Sequence, residues 1–344
     1  VSSDRYRVDP EDYAWVGDDQ DDSTGNRPRS KKRPKHQDAV AGMVVGVDRG
    51  RYRVFPDGTS ADTSVVATRA KELRKESIVV GDRVAVVGDT SGDEGTLARI
   101  VRIEPRRNVL RRSADDTDTV ERVIVANVDQ LVMVVAAADP EPRPRLIDRY
   151  LVAALDQGID PVLVVTKTDL ASPSPLLDYV AGRGVDFVTI SSESESGFAE
   201  LQELLAGKVS VLVGHSGVGK STLVNRLVPE AGRAIGDVNV HTGRGRHTSS
   251  SSVALRIDGG WVIDTPGVRS FGLGHVSPES IINAFDDLAP YLAQCPKACP
   301  HGWANVDCGL RRAEAAGELE PRLAARAESL RLLLGHSSQA ESGQ

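Results

Sequence analysis

The sequence predicts an α/β protein, a parallel sheet flanked by helices, with an all-β barrel before it and a small helical unit after it. Three observations carry that reading. The run VSVLVGHSGVGKSTLVNRL (209–227) joins an apolar strand to a glycine-rich turn and an amphipathic helix. Short alternating segments between Gly/Asp turns fill residues 39–106. All three cysteines fall within QCPKACPHGWANVDCGL, between two helical patterns.

Residues 1–38 are low in apolar content and rich in Asp, Pro, Arg and Ser, and are expected to be disordered. Within them RPRSKKRPKH carries six Lys/Arg and no acid, which suits a nucleic-acid arm or a solvated tail. Residues 39–106 hold AGMVVGVDRGRYRVFP, SVVATRAKEL, DRVAVVGD and TLARIVRIEP, enough for four or five strands. A small barrel follows, with an OB-fold as first choice and an SH3-like barrel as the alternative. Its aromatics are few (Tyr52 and Phe55), so base stacking is expected to be limited. Arg51, Arg53, Arg69, Lys71, Arg74 and Lys75 are candidates for contacts to a phosphate backbone, against the alternative of a solvated barrel face. The linker EPRRNVLRRS (104–113) is basic as well.

Residues 107–275 hold the chemistry. DPVLVVTKTDL is a strand that ends in Thr166, Lys167, Thr168 and Asp169. An aspartate so placed accepts hydrogen bonds from guanine N1–H and the 2-amino group. Adenine has no such donor pair and would leave the carboxylate poorly paired. The Lys167 stem can lie along the base. After a second strand-like run, VDFVTI, come Ser191 and Ser192, where a backbone N–H can meet guanine O6.

The phosphate site is G-x-x-x-x-G-K-[ST]: Gly214, His215, Ser216, Gly217, Val218, Gly219, Lys220, Ser221 and Thr222. Its glycines let backbone N–H groups turn inward, and the helix N-terminus adds its dipole. Lys220 neutralises the terminal phosphates, and Ser221 offers a hydroxyl to Mg2+. WVID then delivers Asp264, followed by Thr265, Pro266 and Gly267. In D-x-x-G the aspartate holds Mg2+ through its shell and the glycine N–H reaches the γ-phosphate. Between the two lies AGRAIGDVNVHTGRGRHTSSSS (231–252), a segment suited to a switch. Thr248 is its first candidate for the second Mg2+-ligating hydroxyl, with Ser249 or Ser250 as substitutes. Val268 stands where a water-orienting glutamine would serve. His247 is the candidate for positioning water, or else a polar loop residue. The catalytic set is therefore His247, Thr248, Asp264 and Gly267.

Base-reading motifs thus precede phosphate motifs. The fold class is an α/β P-loop GTPase, circularly permuted, with the order base loop, serine loop, P-loop, switch, D-x-x-G. Such a permutation costs little when the original termini lie close together, and the strand-end crevice survives it.

Residues 276–344 form the C-terminal unit and tail. Cys295, Cys299, His301 and Cys308 give C-x3-C-x-H-x6-C, three thiolates and one imidazole, a closed set for structural Zn2+. The flanks SPESIINAFDDLAPYLAQ and RRAEAAGELEPRLAARAESLRLLL read as helices, so zinc is expected to staple a unit with little core of its own.

Composition sets limits. At 344 residues and 40% hydrophobic content, two or three domains are expected. No run approaches a membrane span and no signal-peptide pattern opens the chain. An odd number of cysteines argues against a disulfide framework and for a reducing cytosol. The net charge of −7 confines any RNA-binding surface to local patches.

TKTD, GHSGVGKST, GRHTSS, DTPGVRSFGL and the Cys-Cys-His-Cys cluster, in that order, resemble the RsgA (YjeQ) family of circularly permuted GTPases acting in small-ribosomal-subunit maturation. The likeness spans about residues 39–335. It implies an N-terminal OB-fold, a C-terminal zinc domain, and slow GTP hydrolysis stimulated by the small subunit, with release afterwards. Contact with ribosomal RNA, a cytoplasmic location, no membrane and a monomer are expected as well. The family often spaces its ligands C-x4-C-x-H-x5-C, whereas the intervals here are three, one and six. The alternative function is a nucleotide-gated RNA-binding assembly factor or scaffold with little intrinsic hydrolysis.

Overall fold

In a computed structural model the described residues are 36–59, 64–113, 121–191, 194, 196–229, 252–265 and 271–341. The polar tail expected over 1–38 lies almost wholly outside them.

Five strands close the barrel: β1 (Val40–Asp48), β2 (Arg51–Pro56), β3 (Val65–Arg69), β4 (Arg83–Gly88) and β5 (Ala98–Ile103). Alternation drives it. Along β2, Tyr52, Val54 and Pro56 are buried while Arg51, Arg53 and Phe55 face outward. The inward residues meet Val44, Val65, Ala67, Val84, Val86 and Ile100 in one apolar interior. The circuit runs β1-β2-β3-β5-β4 and returns to β1, with β3 and β5 parallel and every other pair antiparallel. A parallel closure of this kind is the Greek-key arrangement of an OB-type barrel. Of the expected phosphate contacts, Arg51, Lys71, Arg74 and Lys75 are exposed, and Arg69 donates to the Glu76 carbonyl at 2.8 Å.

The segment after the barrel is more ordered than a linker. Arg106 holds the fully buried Asp82 at 2.7 Å, which locks the barrel to the chain that leaves it. Residues beyond form β6 (Val109–Ser113), paired antiparallel with β7 (Glu121–Ala126). The hairpin exists because VLRRS finds a partner in ERVIVA, a pairing that the basic composition of 104–113 hides. Gly81 approaches Ala126 so closely that a Cβ would lie 1.9 Å from its carbonyl oxygen, so only glycine fits.

The main sheet adds β8 (Gln130–Ala136), β9 (Asp160–Thr166), β10 (Asp186–Thr189), β11 (Val209–Val213), β12 (Val253–Ile257) and β13 (Gly260–Asp264). Their order is β10-β9-β8-β11-β13-β12, parallel except for β12, which pairs antiparallel with β13 and meets β1 at Gly46–Val253. Both faces are covered, as parallel sheets require. Leu131, Met133 and Val135 of β8 face α1 (Pro144–Asp156) and α2 (Ser174–Val180), while Val132, Val134 and Ala136 face α3 (Phe198–Leu205) and α4 (Lys220–Leu227). The P-loop strand β11 therefore sits mid-sheet, between β8 and β13.

The C-terminal helices are α5 (Pro278–Asn283), α6 (Ala289–Leu292), α7 (Gly309–Ala316) and α8 (Pro321–Glu341). Ser277 caps α5 by accepting from Ser280 N, and Gly317 at φ 70 ends α7. Their apolar faces do not form a separate core. Ile281, Phe285, Leu288, Leu310, Ala327 and Leu330 join the cluster that contains α1 and β8. Arg326 on α8 is fully buried there, bound to Asp148 of α1 and, at 2.7 Å, to Asp287. Tyr179 donates to the same Asp148 at 2.5 Å, and burial pushes its hydroxyl far above the usual tyrosine range. The cysteine–histidine cluster thus adds to a core that already exists.

Candidate functional site

The P-loop is built where β11 meets α4. Gly214 lies so near β8 that a Cβ would sit 2.5 Å from the Val134 carbonyl oxygen. Gly219, at φ 90, turns the chain into the first residue of α4, Lys220. Val218 is buried and anchors the loop, while Ser216, Gly217, Ser221 and Thr222 are exposed at its mouth. His215 faces the Ser216 carbonyl at 3.0 Å through Nδ1. The glycine-rich turn and the α4 N-terminus together favour an anion.

Parallel register brings the second motif alongside. Leu212 of β11 pairs with Asp264 of β13, and Thr265 donates to the Leu212 carbonyl at 2.9 Å. Lys220 Nζ then stands 3.7 Å from Asp264 Oδ1. That oxygen is buried and has no hydrogen-bond partner among the described residues. A buried carboxylate oxygen left without a donor is costly unless a cation answers it. The Asp264 carboxylate fits a Mg2+ site and the Lys220 ammonium fits phosphates beside it, with Ser221 next along the helix.

The base loop joins the P-loop directly. Thr166, the last residue of β9, donates from Oγ1 to the Val218 carbonyl at 2.6 Å. Lys167 adopts φ 56, and its ammonium donates to the Asp139 carbonyl. Thr168 N bonds Ile190 O at 3.3 Å, aligning the ends of β9 and β10. Ser191 then donates to Asp169 Oδ1 at 3.2 Å, and Asp169 is exposed at the crevice. Thr166, Lys167, Asp169 and Ser191 are thus assembled with Gly214–Thr222 at the C-terminal ends of neighbouring parallel strands, where such sheets bind ligands. Ser192, His247, Thr248 and Gly267 lie outside the described residues.

The cysteine cluster also closes in space. One ligand atom each from Cys295, Cys299, His301 and Cys308 lie within 4.8 Å of one another. Cys295 Sγ is 3.5 Å from His301 Nδ1 and 3.9 Å from Cys308 Sγ, and the three thiols form no disulfide. Burial pushes the Cys295 thiol up to about 11; the Gly309 N–H opposes the rise and Cys308 adds to it. Sulfurs so crowded could all ionise only beside a cation. Two donors already serve the sulfurs: Asn305 Nδ2 to Cys299 and Gly309 N to Cys295, both at 3.2 Å. Burial and then the Arg331 charge lower the His301 pKa, which keeps its imidazole neutral and able to ligate. Arg331 is itself held by Glu314 at 2.8 Å and lies 4.4 Å over the Trp303 ring. The donor set fits a bound metal ion.

Comparison with known proteins agrees with this geometry. The RsgA GTPase family is matched by residues 103–274. Over 290 residues the chain is 36% identical to the small ribosomal subunit biogenesis GTPase RsgA 1 of Vibrio vulnificus, covering 82% of this chain and 80% of that protein. The chain belongs to the RsgA GTPase family. Among solved structures, YjeQ from Thermotoga maritima superposes with a TM-score of 0.64 at 26% identity, over 87% of this chain and 99% of that one. YloQ, a circularly permuted GTPase, gives 0.63 at 23% identity, over 89% and 98%, and supports the fold.

Membership in the RsgA family makes the chain a GTPase, with GTP as substrate, GDP as product and Mg2+ as the accompanying ion. The structure also shows contacts that sequence patterns do not reveal. Residues 271–275, which follow the D-x-x-G segment, are clasped from three sides. Arg149 of α1 donates to the Phe271 carbonyl at 2.9 Å, and Gly272 N bonds the Arg111 carbonyl at 3.1 Å. Glu121 of β7 accepts from Gly274 N at 2.8 Å and from His275 at 2.5 Å. No motif links these residues, because each contact spans more than 120 positions. Asn305 and Arg331 are likewise invisible in the sequence as supports of the cysteine–histidine cluster.

Proposed function

We propose that this GTPase binds the small ribosomal subunit and hydrolyses GTP to assist or check its late maturation, leaving after hydrolysis. The observation that carries the reading is the hydrogen bond from Thr166 to Val218. It fastens the base-reading loop to the phosphate loop, so one guanosine nucleotide meets both. The relatives named for small-subunit biogenesis supply the partner.

In this reading Asp169, Ser191 and Ser192 select guanine, and Thr166 and Lys167 hold the loop that presents them. Gly214, His215, Ser216, Gly217, Val218, Gly219, Lys220, Ser221 and Thr222 cradle the phosphates. Ser221, Asp264 and Thr248 would hold Mg2+, which when bound neutralises charge that develops on the phosphate oxygens. Gly267 would donate its N–H to the γ-phosphate, and His247 would position the attacking water. Cys295, Cys299, His301 and Cys308 would hold a structural Zn2+, since all four positions are filled by protein.

The functional division is barrel at 39–106, GTPase at 107–275, and zinc unit with tail at 276–344. Barrel, switch and zinc unit together would face ribosomal RNA in the GTP state. The protein acts as a cytoplasmic monomer; no helix among the described residues is long and apolar enough to cross a membrane.

Sedimentation with purified small subunits tests the reading. Tight association with a non-hydrolysable GTP analogue, weak association with GDP, and faster GTP turnover with subunits present are expected. Equal affinities in the two nucleotide states would overturn it.

A further inference from the structure

One cavity lies away from the nucleotide loops. It is a cleft of about 520 Å3 at the seam between barrel and main sheet, lined among others by Met43, Phe55, Arg83, Arg107, Asn127 and Trp261. Trp261 is near the start of β13 and Val209 opens β11, so the cleft sits at the N-terminal ends of the parallel strands. The P-loop and Asp264 follow the C-terminal ends of the same strands. The two sites therefore occupy opposite edges of one sheet.

Its wall brings together residues far apart in sequence. Phe55, on the outward face of β2, meets Trp261 edge-on, with ring centroids 5.1 Å apart and planes at 70°. Arg256, paired with Trp261 across the β12–β13 ladder, places its guanidinium 5.0 Å over the Phe55 ring. Both rings are only half-buried. At the rim, Arg83 is held by Asp57, and Arg107 is held by Asp129 at 2.9 Å and by the Asn127 carbonyl at 3.2 Å. These two side chains are fixed in direction yet 40% and 63% exposed. The barrel alone offered Phe55 without a stacking partner; the main sheet supplies one.

We propose that this seam binds an unpaired nucleotide of single-stranded RNA. The base lies against Trp261 and Phe55, and the neighbouring phosphates lie on Arg107 and Arg83. Aromatic faces interleaved with arginines are the chemistry that holds single strands without base-specific contacts. The volume falls within the range of roughly 300–1,000 Å3 usual for ligand sites. A strand, rather than a free nucleotide, fits the outward stripe of Arg51 and Arg53 on β2, which continues from Phe55 along the barrel. The inference rests on the functional reading above only in taking its strand from ribosomal RNA.

The test uses the full chain and a short fluorescent oligouridylate, with anisotropy read at several salt concentrations. Trp261→Leu is expected to weaken binding about tenfold, as loss of one base–aromatic stack does. Trp261→Phe should retain most of the affinity. Arg107→Ala is expected to weaken binding less and to reduce the salt slope by about one. Ultraviolet cross-linking should map to peptides carrying Trp261 or Phe55. Unchanged affinity in both Trp261→Leu and Arg107→Ala overturns the proposal, as does binding of free uridine monophosphate as tight as that of the strand. Basal GTP turnover in these variants should equal that of the wild type, so loss through misfolding is visible. Failure of the wild type to bind small subunits while it still holds the oligonucleotide at the seam would sink the functional reading alone.

Discussion

His275 donates to Glu121 at 2.5 Å, although 154 positions separate them. The carboxylate also accepts from Gly274 N, and Gly272 lies so close that a Cβ would meet its Oε1 at 2.4 Å. Burial alone pushes the Glu121 carboxyl up; the His275 hydrogen bond and charge, the Gly274 N–H and Arg111 outweigh it and hold it below the ordinary carboxylate range. The contact therefore contributes fully above the titration of the unfolded carboxylate. It is lost as pH falls through that range to the lower folded value. Glu121→Ala should cost about 1–3 kcal/mol and flatten the acid side of the stability profile, read by denaturant melts across pH. An unaltered acid limb would show that the clasp does not matter to stability.

Thr166→Val removes the hydroxyl that ties the base loop to Val218 while preserving the β-branched shape. The buried Val218 carbonyl loses its donor. GDP and GTP affinity should fall by about 1–2 kcal/mol, roughly five- to thirtyfold, with melting little changed. Titration calorimetry checks both nucleotides. A variant that binds as tightly as the wild type would mean that the two loops hold their geometry by other contacts.

Arg326→Met leaves Asp148 in the core with the buried Arg183, 3.4 Å away, as its remaining cation. Removing one partner from a buried ion pair costs about 3–5 kcal/mol when the other charge is left uncompensated, and Arg183 should hold the loss at or below the low end of that range. The triple replacement Arg326→Met, Asp148→Leu and Arg183→Met, which leaves neither arginine facing an absent carboxylate, should recover part of that loss. Thermal melts of the single and triple variants provide the measurement. Equal destabilisation in both would show that Tyr179 and Asp287, the remaining partners of this network, dominate it.

Metal removal should loosen residues 295–309 without unfolding the GTPase sheet, since α5, α7 and α8 share its core. Elemental analysis should find a single equivalent of zinc, lost in Cys299→Ser. Hydrogen exchange after chelation is expected to rise in the cluster loop and at α7 while β8, β9 and β11 stay protected. Exchange rising equally across the sheet would contradict the shared-core account.

Much of this was readable in the chain. TKTD, the P-loop and DTPG each follow an apolar strand, and local pattern suffices where a motif sits on one element. A small barrel of four or five strands follows from alternation, although the fifth strand's parallel β3–β5 closure, which separates the OB type from an SH3-like barrel, does not. Long-range choices were hidden. The β6–β7 hairpin was masked by the basic run at 104–113, and α8 buries Arg326, a residue type expected at the surface. The aromatic pair Phe55–Trp261 could not be foreseen, since nothing local in either strand specifies its partner across the seam.

The swapped motif order also bears on how the chain is made. The strand at the centre of the sheet, β11, is synthesised after β8, β9 and β10. Until residue 209 emerges, β8 has a bare inner edge, and its apolar faces await α4 and the helices beyond residue 277. Nascent protein is therefore vulnerable to mispairing for a longer stretch of translation than a version that begins with its central strand, and a chaperone that shields β8 should raise its folded yield.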